Sequence, residues 1–77
     1  MDSRKRPLRN EVQLKRLGAK IRKLRDARKI SQEDLAHEAK IERSYMGAIE
    51  RGERNPSFDK LISIAKALGI RSSELLK

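Results

Sequence analysis

The sequence contains no cysteine and no tryptophan, and only one histidine, one phenylalanine and one tyrosine. Without a thiol there can be no disulfide, no thiolate zinc site and no cysteine nucleophile. A single histidine, His37, cannot supply a histidine pair for a metal. Two aromatic rings are too few for a platform that stacks the bases of single-stranded RNA. No apolar run approaches the roughly 18 residues of a membrane span. The basic start, Met1-Asp2-Ser3-Arg4-Lys5-Arg6, is not followed by the apolar stretch of a secretory signal. The expected compartment is therefore the cytoplasm. With 77 residues there is room for one small domain and not for two.

What the chain does have is positive charge, and it is unevenly placed. The formal net charge is +9. Residues 1–30 hold twelve Lys and Arg against Asp2, Glu11 and Asp26, whereas residues 31–77 hold eight of each sign. The whole excess lies in the first part of the chain, as expected of a segment facing a polyanion: nucleic acid or an acidic membrane surface. The plainer alternative is a solvated basic tail on an ordinary domain.

Residues 1–10, with four basic residues and Pro7, read as a disordered basic arm. From Glu11 the pattern is helical. Leu14, Leu17, Ile21 and Leu24 form one apolar stripe, with Lys15, Arg16, Lys20, Arg22 and Lys23 mostly off it, up to about Ala27–Lys29. Ser31 is a cap for a second short helix, whose first turn carries Glu33 and Asp34 and whose inner face is Leu35, Ala36 and Ala39. A third helix is expected from Arg43 to Arg51, with Ile41, Met46 and Ile49 inward and Gly52 just beyond it. Ser57 caps a fourth, burying Phe58, Leu61, Ile62, Ala65 and Leu68 and ending at Gly69; Ser72 caps a last turn, Ser73–Leu76. No strand alternation is present. The expectation is all-α: a compact five-helix domain over residues 11–77 behind the arm.

The stretch from Gln32 to Gly52 is the most informative. Two short helices are joined by about four residues, with small side chains on the inner side of the first and an apolar trio on the turn and the second. That pattern suits a steep, close helix-turn-helix crossing that leaves the far side of the second helix exposed.

Four segments in order, Ser31-Gln32-Glu33-Asp34-Leu35-Ala36, Ile49-Glu50-Arg51-Gly52, Asn55-Pro56-Ser57 and Ala65-Lys66-Ala67-Leu68-Gly69-Ile70, resemble the Cro/lambda-repressor-like (XRE-type) family of helix-turn-helix regulators. The resemblance covers about residues 11–77. Arg43-Ser44-Tyr45-Met46 followed by Glu50-Arg51-Gly52-Glu53-Arg54-Asn55 is most similar to the controller proteins of restriction–modification systems.

The resemblance implies a lambda-repressor-like fold and a homodimer on a palindromic, double-stranded operator. The second helix of the pair would lie in the major groove with its N-terminal residues near base edges. Arg43 has the fork that matches guanine O6 and N7. Ser44 would touch a base or a phosphate, and Tyr45 a phosphate or a thymine methyl. Gly47 and Ala48 are small, which would let the helix sit deep. Ser31 and Gln32 at the start of the preceding helix, and Arg51, Arg54 and Asn55 at and after the end of the recognition helix, are the phosphate-contact candidates. Arg25 and Glu50 match a partly buried ion pair of the family; the alternative for Arg25 is contact with DNA. The dimer surface is expected around Ile70, Leu75 and Leu76.

Two positions depart from the family pattern. Lys40 stands in the tight turn where Gly or Asn is usual, which implies a left-handed non-glycine residue. Glu42 stands where Ser, Thr or Asp would cap the recognition helix. It is read as a solvated residue favourable to the helix end, the alternative being an acceptor for cytosine N4.

His37 reads as a surface histidine and Ser72-Ser73 as a cap. No positioned nucleophile set and no glycine-rich phosphate loop is visible, so no enzymatic activity, cofactor, metal or small-molecule ligand is expected. Two rivals to a DNA-binding regulator remain at this stage. One is an antitoxin or adaptor using the same fold to bind a protein. The other is a membrane-surface binder acting through helix 1, which the core's need for that helix's apolar stripe disfavours.

Overall fold

Each helix ends where its sequence offers the backbone an exit. The computed structural model describes the backbone of residues 5–77 and the side chains of residues 11–77. The helices are α1 (Lys5–Ala27), α2 (Gln32–Ala39), α3 (Arg43–Glu50), α4 (Phe58–Leu68) and α5 (Ser72–Leu75), with no strand among the described residues. Ser31 caps α2, its Oγ accepting from the Asp34 N–H at 2.9 Å; Ser57 caps α4 in the same way, accepting from the Lys60 N–H at 3.2 Å. Each cap satisfies one of the N–H groups that a helix start leaves unpaired, worth about 1 kcal/mol.

Two helix ends show the same geometry with different residues. At α2 the Ile41 N–H reaches back to Ala36 O at 2.9 Å and the Lys40 N–H to His37 O at 3.1 Å. At α4 the Ile70 N–H bonds Ala65 O at 2.9 Å and the Gly69 N–H bonds Lys66 O at 3.0 Å. Both are Schellman endings with a left-handed residue. At α4 that residue is Gly69 (φ 74°), but at α2 it is Lys40 (φ 59°), as the departure in the turn implied. Lys29, between α1 and α2, is left-handed as well (φ 59°). Each lysine costs about 1 kcal/mol relative to glycine there.

The core consists of Ile21 from α1, Leu35, Ala36 and Ala39 from α2, Ile41, Met46 and Ile49 from the turn and α3, Leu61, Ile64, Ala65 and Leu68 from α4, and Leu75 from α5. The second helix packs on α3 and α4, while α1 lies across α3 and α5 closes against α4. The approach of α1 to α3 depends on Gly18. A Cβ there would stand 2.4 Å from the carbonyl oxygens of both Ile49 and Glu50, so any side chain would lift α1 off the recognition helix. A mid-helix glycine costs about 1 kcal/mol in propensity, and the close crossing is its return.

Several expectations are corrected. Helix α1 begins at Lys5 and not at Glu11, so the backbone of residues 5–10 of the expected arm is helical, and residues 1–4 lie outside the described residues. Pro7 falls in the first turn, where its missing N–H removes no helix bond. On α4, Phe58 and Ile62 are 63% and 40% exposed, and Ile64 takes the inward place. The core-facing stripe is Leu61, Ile64, Ala65 and Leu68; Phe58 and Ile62 form a second stripe at i, i+4 beside it. Leu75, expected on a dimer surface, is 3% exposed and belongs to the core. The last helix is capped in position by Arg71, without a side-chain hydrogen bond, and not by Ser72.

Candidate nucleic-acid interface

The recognition helix is held from behind by a charged knot. Arg25 on α1 donates from Nε to Glu50 Oε2 at 2.8 Å and from Nη2 to Glu50 Oε1 at 3.0 Å, and its Nη1 donates to the Ile30 carbonyl at 3.0 Å. The Arg25 side chain is 12% exposed and that of Glu50 4%. The hydrogen bond with Glu50 holds the Arg25 guanidinium above its ordinary pKa, against the opposing effect of burial. Gln32 Nε2 donates to Glu50 Oε1 at 3.1 Å and so ties the start of α2 to the same carboxylate. Only the amide nitrogen can donate to a carboxylate, which fixes the orientation of the Gln32 side chain. The pair therefore joins α1, α2 and α3 at one point.

On the outer side, Gln32, Arg43, Ser44, Gly47 and Arg51 line one shallow hollow. Arg43 and Ser44 are exposed in the first turn of α3, and Glu42, the N-cap residue before it, makes no side-chain cap bond. The first-turn N–H groups of α3 thus carry no side-chain acceptor from Glu42. Ser31 Oγ, already accepting from Asp34, keeps its hydroxyl hydrogen to donate. Gln32 keeps the second hydrogen of its amide. Arg51 is exposed and paired with Glu53, Nε to Oε1 at 3.1 Å. Such an exposed pair is weak and yields readily to a phosphate. Gly47 is buried beneath Gln32 and Arg51: a Cβ would lie 3.2 Å from Gln32 Oε1 and 3.1 Å from Arg51 Nη1. A side chain there would press on the Gln32 and Arg51 side-chain ends that line the hollow.

Tyr45 points to a second cluster. The Arg54 guanidinium carbon lies 5.7 Å from the centre of its ring, and Lys60 Nζ 5.4 Å. Cations at such distances are attracted by the ring face, by about 0.5–1 kcal/mol at exposed sites. Lys60 was not among the sequence candidates. The signal available for it was its place in the first turn of α4, three residues after the capping Ser57. Asn55, exposed and next to Arg54 in the loop, lines the groove between α1 and α5 with Gln13, Leu17 and Leu75. Among the twelve basic residues of the first thirty, Arg28 is also structural: its Nη1 donates to the Leu68 carbonyl at the end of α4, where a cation is favoured. Among the described residues, no group of acidic residues or histidine has the spacing of a metal site. No described helix is long and apolar enough to cross a membrane.

Comparison with known proteins agrees with this geometry. The helix-turn-helix family model matches residues 21–75. Control protein C.BamHI of Bacillus amyloliquefaciens is 45% identical over 60 residues, which span 77% of this chain and 74% of that protein. Control protein C.MunI of a Mycoplasma species is 40% identical over 67 residues, 86% of this chain and 89% of the relative. The crystal structure of the restriction–modification controller protein C.AhdI from Aeromonas hydrophila superposes with a TM-score of 0.79 at 44% identity, covering 80% of this chain and 94% of that one. The chain belongs to the XRE-type, lambda-repressor-like helix-turn-helix family of DNA-binding transcription regulators.

Proposed function

We propose that the protein acts in the cytoplasm as a homodimer on a palindromic operator and controls restriction–modification genes. The observation that carries the reading is the hollow in which Gln32, Arg43, Ser44 and Arg51 meet at the exposed start of α3. An α-helix with its side chains is about 10–12 Å across, a fit to a major groove about 12 Å wide. Arg43 reads guanine; Ser31, Gln32 and Arg51 hold the phosphates that set the register. Two such helices would lie about 34 Å apart in the dimer.

Phe58 and Ile62 on α4 and Leu76 after α5 are exposed large apolar residues, which supports this face as the one the second copy covers. A small domain gains from covering such residues. The expected centre of the interface thus moves from Leu75, which is core, to Phe58 and Ile62. The likeness to control proteins supports the gene class.

Selection of bound duplexes from a random pool, repeated at two salt concentrations, tests the reading. A consensus with two-fold symmetry is expected. Recovery of unrelated sequences at both salts contradicts it. Sedimentation should show a dimer that Phe58→Glu dissociates; a wild-type monomer at high micromolar concentration, with and without the selected duplex, contradicts the homodimer.

A further inference from the structure

Tyr45 brings together two cations from different parts of the chain. Arg54 comes from the loop after α3 and Lys60 from the first turn of α4. Both lie within 6 Å of one ring centre, so they are no more than about 11 Å apart. Among the described residues, neither has a carboxylate within ion-pair distance, whereas Arg51 is paired with Glu53 and Arg25 with Glu50. The Lys60 backbone is fixed by its N–H bond to Ser57 Oγ. Two like charges repel, and here a half-buried neutral ring holds both of them without an anion between them.

The position of the cluster says what that anion would be. At about 100° per residue, Tyr45 stands about 200° around α3 from Gly47, over which Gln32 and Arg51 lie. Arg43, by contrast, is about 40° from Gly47 on the same scale. The recognition helix therefore has one polar flank built from Ser31, Gln32 and Arg51, and a second, opposite flank built from Tyr45, Arg54 and Lys60. A helix lying in a major groove has a phosphate strand on each side. A separation of no more than about 11 Å keeps both cations within reach of neighbouring phosphates of one strand, which advance about 3.4 Å of helix axis each.

We infer that Lys60 is a further DNA-contact residue, which with Arg54 forms a two-cation clamp held on the Tyr45 ring for the phosphate strand opposite the one taken by Ser31, Gln32 and Arg51. Lys60 touches the phosphate; Tyr45 acts on this strand as a positioning residue. The inference rests on the DNA-binding reading and extends its footprint beyond the helix-turn-helix to the start of α4.

The salt dependence of binding separates these roles. The probes are a duplex carrying the selected consensus and a scrambled duplex of equal length. Lys60→Gln is expected to lower the slope of log affinity against log salt by about 0.9 on both, one phosphate contact. Tyr45→Leu removes no charge, yet it should lower the slope at least as far, because both cations lose their seat. Tyr45→Phe keeps the ring and should keep the wild-type slope. A purely packing role for Tyr45 would weaken binding without moving the slope. Melting curves followed by circular dichroism check that the variants are folded, and Lys60→Gln, at a partly exposed position outside the core, is the variant that must be. If the wild type binds and Lys60→Gln keeps its slope, the clamp is overturned alone. If Lys60→Gln lowers the slope and folded Tyr45→Leu does not, the ring's part is overturned. If the wild type binds neither duplex, the DNA-binding reading falls with it.

Discussion

Arg25 and Arg54 lie on either side of the recognition helix and do opposite things. Arg25 is nearly buried, satisfied by both oxygens of Glu50 and by the Ile30 carbonyl. Arg54 is exposed, rests on an aromatic ring and has no carboxylate partner among the described residues. The residue type is the same, so partner and burial decide the role. A guanidinium whose donors are spent inside the fold orients α3. One whose donors are free is available to phosphate. The same division runs through the net charge of +9. Arg25 and Arg28 both spend donors on backbone carbonyls inside the fold, so part of the excess in the first thirty residues is engaged within the domain.

Breaking the inner side of this comparison should have the largest effect. Glu50→Ala leaves Arg25 buried without its carboxylate, at a cost of about 3–5 kcal/mol. That equals the whole stability expected of a domain this small, so urea denaturation should find the variant largely unfolded in buffer. On the outer side, Arg43→Ala should lose about 1–3 kcal/mol of discrimination at one base pair of each half-site. Its unfolding midpoint should stay at the wild-type value, which competition binding and melting together would verify. Lys40→Gly relieves a left-handed lysine and should stabilise the domain by about 1 kcal/mol, raising the melting temperature by about 4–8 °C. Arg54→Gln should change stability least, by under about 0.5 kcal/mol, and should weaken consensus and scrambled duplexes alike. A large stability loss for Arg54→Gln would erase the distinction between the two arginines.

Most of the fold was legible because helix ends announce themselves. Ser31, Ser57 and Gly69 are read as caps and act as caps, and the left-handed turn at Lys40 follows from the family resemblance, in which Gly or Asn is usual there. The ion pair of Arg25 with Glu50 was legible only through family resemblance, since nothing local joins residues twenty-five positions apart. The failures have physical causes. The α4 sequence carries two overlapping apolar stripes, and only packing against α2 decides that Ile64 turns inward while Phe58 and Ile62 stay out. Gly18 lies in an otherwise regular amphipathic helix, and its reason is a backbone of α3 distant in sequence. Lys60 was missed because its partner is a ring, and no charge pattern along the chain marks a cation seated on an aromatic.

On the proposed function, the exposed start of α3 reads sequence while the buried knot behind it only holds the helix in place. The most direct test of this division is duplex selection from a random pool with the wild type and with Arg43→Ala in parallel. A two-fold symmetric consensus is expected for the wild type, and for Arg43→Ala the same consensus with preference lost at one symmetry-related base pair. An unchanged consensus for the variant, with affinity lowered equally on every sequence, would contradict it.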